Sequence, residues 1–395
     1  MALSESMQET IRSEVAALAP EYVEARRHLH RNPELSDQEV RTAEFVADRL
    51  RALGMDELRT GVGGNGVLAT LRGGQAGRTI ALRADMDALP IQETSDLPYR
   101  SCVPGVMHAC GHDGHTATLL GTAATLARMR DRIAGSVRFI FQPAEETVGG
   151  AARMCSGGAM DGVDAVVALH GWPDLAVGRI GVRPGPMMAS SDTFDILVRG
   201  RGAHAAYPHL SVDPILVGAQ IVSALQGVAS RETNPTDSVV VTVAQFHAGT
   251  AYNIIPGTAE LKGTVRCLST RTQDSMPARI ERIASGICSA WGASCRFEYR
   301  RGTPATINDA GINELVSGVG QVVLGAENVV ELDAPSMGAE DFAMYLQHAP
   351  GAIFRLGVGT DVTPLHTPTY NFGDAPVKTG MELMARIAVE FLGLE

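Results

Sequence analysis

Apolar positions along this chain alternate between short continuous runs and longer stretches of helical spacing, which predicts an α/β protein. The spacing predicts a helix over 22–31, ending before Pro33, and a second that opens on a Ser36–Glu39 capping box and closes at Gly54. Residues 78–84 (RTIALRA), 136–141 (SVRFIF) and 163–169 (VDAVVAL) read as strands. Residues 116–130 read as a helix through Leu119, Leu120, Ala123, Ala127 and Met129. Near-continuous apolar strands separated by helices imply a sheet covered on both faces.

The rhythm changes in the middle third. Residues 193–199, 239–246, 259–266 and 295–299 predict strands, and 214–229 and 279–291 predict helices, with Asp213 as the cap of the first. The order β-α-β-β-α-β is the split βαβ, ferredoxin-like pattern. A small α+β domain is therefore expected as an insertion. The earlier style resumes with a helix over 313–324, a strand over 352–356 and a helix over 377–391. The expected division is 1–186 and 302–395 for the large domain and 187–301 for the insertion.

Composition narrows the class. The 395 residues are enough for two domains, and 45% hydrophobic with 19% charged residues is the balance of a soluble globular protein. A net charge of -11 excludes the basic footprint of nucleic-acid or anionic-membrane binding. Residues 1–14 lack the apolar core of a secretory signal, and no apolar run approaches a membrane span. Six cysteines without a C-x-x-C pair point to reduced thiols in a cytoplasmic protein.

The polar residues fall in a telling place. Strand 78–84 runs into Asp85 and Asp87, strand 136–141 into Glu145 and Glu146, and strand 163–169 into His170. Sites in open α/β sheets gather beyond the carboxyl ends of strands. Between the first two strands lies His108-Ala109-Cys110-Gly111-His112-Asp113-Gly114-His115, leading into a helix, and His366 follows the last strand between Pro364 and Pro368. Thiolate, imidazole and carboxylate together are the ligand set of zinc or a neighbouring divalent metal. Of the adjacent Glu145 and Glu146, one can bind metal while the other serves as general base. Asp85 and Asp87 are read as orienting histidine ligands, His115 as structural, and His108 as a partner of a ligand. For His28 and His30, the dipole of a basic helix end is explanation enough. Gly61, Gly63 and Gly66 match G-x-G-x-x-G, but a strand follows instead of the helix a dinucleotide site needs. The chain has no G-x-S-x-G nucleophile elbow.

At these residues the chain resembles the metallo-aminoacylases: hippurate hydrolases, N-acyl-amino-acid amidohydrolases and plant hydrolases of indole-acetyl amino acids. The likeness runs through RRHLHRNPELS (26–36), LRADMDALP (82–90), MHACGHDGHTA (107–117), FQPAEE (141–146), ALHGWP (168–173), GRGAHAAYPH (200–209), NIIPGTAELKGTVR (253–266) and MGAEDFA (337–343). It implies a mixed-sheet, zinc-peptidase-like catalytic domain with an inserted ferredoxin-like lid that forms a homodimer or a dimer of dimers. It further implies two divalent ions per subunit (Zn, Mn, Co or Ni) on Cys110, His112, Glu146, His170 and His366, with Glu145 as general base and then proton donor to the leaving amine. His204 becomes an oxyanion donor reaching a neighbouring subunit, and Asn253 and Arg266 become holders of the substrate carboxylate. The implied substrate is a small N-acyl or N-aroyl amino acid, cleaved to a carboxylic acid and an amino acid.

A dipeptidase or carboxypeptidase using the same site is the alternative within the enzyme class. A silent binding protein on this scaffold is the alternative outside it, and the presence of Glu145 beside five candidate ligands argues against it. The chain departs from many dinuclear peptidases of this architecture at Asp85-Met86-Asp87, where they place His-x-Asp. They also tend to bridge the metals with an aspartate, whereas this chain resembles the cysteine-containing branch. A thiolate ligand predicts sensitivity to oxidation.

Overall fold

The computed structural model describes residues 3–147 and 149–393. The expected outer limits of the large domain, at 1 and 395, lie outside the described residues. Helices α1 (Glu5–Arg31) and α2 (Val40–Ala52) precede strands β1 (Glu57–Val62), β2 (Gly66–Arg72) and β3 (Gln75–Asp85). Then come α3 (His112–Arg128), β4 (Ala134–Gln142), α4 (Gly150–Ser156), β5 (Ala165–Pro173) and β6 (Ile180–Val182). The middle of the chain holds β7 (Gly185–Met188), β8 (Ser191–Arg199), β9 (Ala203–His204), α5 (Pro214–Gly227), β10 (Val239–Ala248), β11 (Ile254–Ile255), β12 (Thr258–Cys267), α6 (Thr270–Ala290), β13 (Ser294–Thr303) and β14 (Thr306–Asn308). The chain finishes with α7 (Ala310–Leu324), β15 (Val329–Glu331), β16 (Gly351–Gly359) and α8 (Ala375–Leu392).

Two compact units emerge. One extends to Gly185 and resumes at Ile307–Ala334 and from Asp341; the other comprises Pro186–Thr306 and Pro335–Glu340. The segment Pro335–Glu340 joins the second unit through the backbone N–H of Ala189, which donates to the carbonyls of Ser336 (3.0 Å) and Gly338 (2.9 Å).

The first unit is built on an eight-stranded mixed sheet in the order β1-β2-β4-β3-β5-β16-β6-β15. β4, β3, β5 and β16 are mutually parallel, so their carboxyl ends share one edge. The helical face is covered by α1, α3 and α8, whose Ile11, Val15, Leu119, Leu120, Val377 and Met381 pack with Ile80, Leu82, Phe139, Val167 and Phe354 of the sheet. Each such side chain contributes about 1.5–3 kcal/mol by leaving water. Helix α3 is buried on every side from His112 to Leu126, and its Thr122 and Thr125 hydroxyls donate back to Thr118 and Gly121 carbonyls. A helix surrounded in this way is fixed in place, and its first turn is held at the strand edge.

Three local differences from the sequence reading have physical causes. Helix α1 is longer than read, because it continues through Pro20 while Ile11, Val15 and Leu18 stay buried. Strand β5 runs to Pro173, so His170 lies on the strand and not after it. The Ser36–Glu39 capping box does not form: α2 starts at Val40 with no side-chain cap. The Glu39 carboxylate instead accepts the N–H groups of Asp37 (3.0 Å) and Ala144 (2.8 Å), and the Ser36 hydroxyl donates to Asp87 (2.7 Å).

The second unit carries an antiparallel sheet in the order β10-β12-β8-β13, with the chain order β-α-β-β-α-β. Phe194, Ile196 and Val198 alternate inward on β8 and meet Val217, Ile221 and Leu225 of α5 and Ile280 and Ala284 of α6. Asp213 caps α5, accepting from Ile215 at 2.9 Å.

Candidate metal centre

The turn from Cys110 into α3 depends on Gly111. Its φ of +91° is left-handed, and a Cβ there would lie 2.9 Å from Tyr370 Oη and 3.0 Å from Phe372 Cδ2. The tight turn lets Cys110 and His112 face the same space. The Sγ of Cys110 and the ligand nitrogens of His112 and His170 lie within 4.8 Å of one another, as do the donor atoms of Cys110, Glu146 and His366. His112, Glu145 and Glu146 form a third such group. Five candidate ligands and Glu145 thus converge from four chain segments in the first unit. Cys110 Sγ is 3.5 Å from His170 Nε2, and Glu146 Oε1 is 3.3 Å from His366 Nε2.

The histidines are oriented from behind. His112 Nδ1–H donates to the Asp87 carbonyl at 2.9 Å with the Asp87 carboxylate 3.3 Å away, and His170 Nδ1–H donates to the Gly171 carbonyl at 2.8 Å. In both rings Nε2 is left to face the centre, the arrangement that fixes a ligand tautomer. His366 is exposed, sits at a φ of +61° and is tied by its N–H to the Ala109 carbonyl at 2.8 Å. Left-handed geometry at a non-glycine residue stores strain and clusters at functional positions.

Asp85 and Asp87 are buried and collect donors. Asp85 accepts from Arg83 and His115, both at 2.6 Å, while Asp87 accepts from Ser36 and from the backbone of Glu146 at 3.0 Å. Arg83 also donates to Gln142 (2.9 Å) and Asp341 (3.1 Å), so the acidic strand end rests on a buried polar lattice. Burial alone would raise Asp85, but His112, Arg83 and His115 outweigh it and hold the carboxyl well below the usual range. Burial likewise opposes ionisation of Asp87, and the hydrogen bond from His112 overcomes it.

The donor set fits a divalent cation. His112 Nε2 is a buried atom with no hydrogen-bond partner among the described residues, and the buried Glu146 Oε1 meets only the ion-pair contact with His366 at 3.3 Å. Leaving the imidazole nitrogen so costs about 1–3 kcal/mol in a folded protein. Burial and the neighbouring Glu146 push the Cys110 thiol well above its usual value. A bound cation reverses both penalties, because it takes up lone pairs and favours thiolate. Burial, the largest influence, keeps His170 neutral, the form that ligates.

The remaining sequence-predicted residues lie in the second unit. His204 is exposed on β9, paired with Ile254 of β11, and the Asn253 carbonyl accepts the N–H of Ala205 at 2.9 Å, so these two loops are joined. His204 Nδ1 accepts from Ala206 N–H at 3.1 Å, which leaves the Nε2 proton pointing outward in the neutral ring. Arg266, half-buried on β12, donates to the Thr264 hydroxyl, and burial lowers its pKa.

The helix-end position of His28 and His30 is as read, but the dipole is not the whole account of either. His30 stands in the last turn of α1 but is fully buried, with Nδ1 3.0 Å from Asp113 and Nε2 3.3 Å from Glu93. His28 stacks on Phe45 at 4.7 Å. His108 is buried with neither ring nitrogen bonded among the described residues, so it does not anchor a ligand. Arg83 and Asp341 follow no spacing rule, their only signal being a charge inside an apolar run or near the strand ends, and the spacing of Glu39 from Ser36 points to a helix cap instead of to the Ala144 backbone.

A sequence profile for Peptidase family M20/M25/M40 matches residues 81–390. The N-acyl-L-amino acid amidohydrolase of Geobacillus stearothermophilus is 48% identical over 301 residues, 76% of this chain and 81% of that protein. Thermostable carboxypeptidase 2 of Saccharolobus solfataricus is 40% identical over 391 residues, covering 97% of this chain and 98% of its own. Among solved structures, the YXEP protein of Bacillus subtilis, a dinuclear metal-binding peptidase of the M20 family, is 37% identical with a TM-score of 0.86, over 96% of this chain and 100% of that one. With the profile spanning most of its length and these relatives 76% and 97% of it, the chain belongs to peptidase family M20/M25/M40 and is an amide-bond hydrolase.

Proposed function

We propose that this protein hydrolyses the amide bond of N-acyl or N-aroyl amino acids, using two divalent ions held by Cys110, His112, Glu146, His170 and His366. The observation that carries the metal reading is the buried, unpartnered His112 Nε2 grouped with Cys110 and His170, beside a second group of Cys110, Glu146 and His366. The substrate reading draws on the amidohydrolase relative at 48% identity. When bound, the ions (Zn, Mn, Co or Ni) would acidify water and polarise the amide carbonyl.

The chain's own residues do the rest. Glu145, next to the ligand Glu146 yet not needed as a ligand, takes a proton from the attacking water and delivers it to the amine that leaves. Asp87 holds both His112 and the backbone of Glu146, so the ligands and the base keep a common frame. His204, with its outward Nε2 proton, supplies a hydrogen bond to the developing oxyanion. Asn253 and the guanidinium of Arg266 hold the substrate's carboxylate.

The second unit acts in this reading as lid and dimerisation domain. Its two sheet edges differ in character. β13 carries Arg296, Glu298, Arg300 and Arg301, charges that block edge pairing, whereas β10 (VVVTVAQFHA) is an uncharged ten-residue edge with Val240 and Phe246 exposed. Pairing of β10 with its copy gives a two-fold homodimer, in which His204 serves the neighbouring centre. Six free thiols accord with a cytoplasmic location.

The carboxypeptidase relative at 40% identity supports a second reading, cleavage of peptides by the same site. One experiment separates them: stripped protein is reloaded with each ion and offered N-acetyl, N-benzoyl and dipeptide substrates side by side. Turnover of acyl amino acids that disappears on chelation and returns with metal is the expected result. Preferred turnover of dipeptides would replace it with the second reading.

A further inference from the structure

We infer that His115 is a positioning residue that sets the affinity of the metal position served by His170, acting through the Gly171 backbone on that ligand. The inference rests on the ligand reading given above.

The donor atoms of Asp85, His112 and His115 also lie within 4.8 Å of one another, so His115 invites assignment as another ligand. Its hydrogen bonds rule that out. Nδ1–H donates to Asp85 Oδ1 at 2.6 Å, and Nε2 accepts the N–H of Gly171 at 2.8 Å. A single neutral tautomer satisfies both contacts and leaves no lone pair for an ion.

The same geometry gives the residue a task. Gly171 is held at both ends of its backbone: its N–H goes to His115, and its carbonyl accepts His170 Nδ1–H at 2.8 Å. The line Asp85, His115, Gly171, His170 therefore links the end of β3 to the end of β5 across the first turn of α3. Asp85 Oδ2, the oxygen that receives Arg83, stands 3.7 Å from His112 Nε2, so the line starts and finishes at candidate ligands. The His115 and His170 rings lie 4.8 Å apart, and Phe372 packs edge-on against His115 at 5.6 Å, which prevents the ring from swinging aside. Without His115 the Gly171 peptide loses its anchor, and with it goes the fixed tautomer and aim of His170. Glu146 and His366 have no bond to this line among the contacts described, so the ion they hold is expected to be spared.

The test is calorimetric titration of Mn2+ into stripped full-length protein, repeated with Co2+ to follow the sulfur-to-cobalt absorption band. His115→Ala, His115→Gln and His115→Asn are compared with the parent. A glutamine places its amide oxygen where Nε2 stood and can accept from Gly171; an asparagine reaches only the place of Nδ1. The expected result is two binding events in the parent and a loss of about 10–100-fold in one of them in the alanine variant. Glutamine recovers most of that loss and asparagine does not. Thermal unfolding without metal shows whether each variant folds, and if the alanine variant fails, the glutamine–asparagine comparison decides. Parent-like affinity at both positions in the alanine variant, or glutamine no better than asparagine, overturns the role of His115. A parent that takes up no metal overturns the ligand reading itself, and this inference with it.

Discussion

One carboxylate, that of Asp87, serves two candidate ligands at once: Oδ1 lies 3.3 Å from His112 Nδ1, and Oδ2 accepts the backbone N–H of Glu146 at 3.0 Å. The two contacts fix the tautomer of an imidazole and the position of a carboxylate from the turn after β4. Asp87→Ala should therefore weaken binding of both ions, by about 10–100-fold each. Asp87→Asn should lose less, since its remaining oxygen still accepts from one donor. Equilibrium dialysis against a metal-sensitive dye measures both. Parent-like retention in the alanine variant would remove Asp87 from the support of the centre.

In the proposed mechanism Glu145 is a different kind of residue, assigned to proton transfer and not to holding metal. Glu145→Gln keeps size and polarity but cannot take a proton. The variant should bind both ions as the parent does while kcat falls by about 10²–10⁴-fold. Metal content by elemental analysis and rate by product release are to be measured on the same sample. A near-normal rate at full metal loading would show that another group is the base.

The loop that presents Glu145 has its own support. Ala144 adopts a φ of +51°, unfavourable for a residue with a Cβ, and its buried N–H is held by Glu39 at 2.8 Å. Glu39→Ala orphans that N–H and should cost about 1–3 kcal/mol of stability. It should also lower kcat while leaving metal content unchanged. Chemical denaturation alongside steady-state rates checks both parts; an unchanged kcat would confine Glu39 to stability.

Sequence patterning reached the strand ends but not what lies behind them. Asp85, Glu145 and His170 were legible because each stands at or near the end of an apolar strand, where an alternating α/β chain gathers polar groups. The split βαβ order was legible because β8 alternates strictly and Asp213 is a plain cap. Glu39 was misread because its spacing from Ser36 imitates a capping box, and spacing says nothing of a backbone N–H 105 residues away. The partners of His30 were missed for a similar reason: a basic helix end looks exposed until Asp113 and Glu93 are found against it. Local periodicity sees contacts within a turn or a strand, while a buried polar network is assembled by the tertiary fold.

His30 gives a pH prediction. Burial would lower its pKa, yet Asp113 and Glu93 raise it to about 9 against the repulsion of Arg26. Arg26 lies 3.6 Å from Asp113, Tyr99 meets the His30 ring edge-on at 5.7 Å, and His108 is 6.5 Å away. A histidine whose folded pKa is raised contributes stability that is complete below its ordinary value of 6.5 and is lost as pH rises through about 9. His30→Gln should cost on the order of 3 kcal/mol near pH 6, since it strips the cation from two buried carboxylates. The gap between parent and variant should shrink from pH 7 to pH 10. Melting of metal-free protein across that range tests it; a gap independent of pH would mean that His30 is neutral in the fold.

The last prediction concerns assembly. If β10 pairs with its copy, then Ala244→Lys with Phe246→Lys brings like charges together at that edge and should yield monomers in sedimentation velocity. If the partner's His204 completes each centre, those monomers should also lose activity while retaining metal. Mixing is the sharper test. His204→Ala and Glu145→Gln are each inactive alone, but a heterodimer of the two has one centre with an intact Glu145 facing an intact histidine. Statistical exchange should restore about one quarter of parent activity. Confirmed subunit exchange with no recovery would assign each histidine to the centre of its own chain, and the dimer would then be a matter of stability alone.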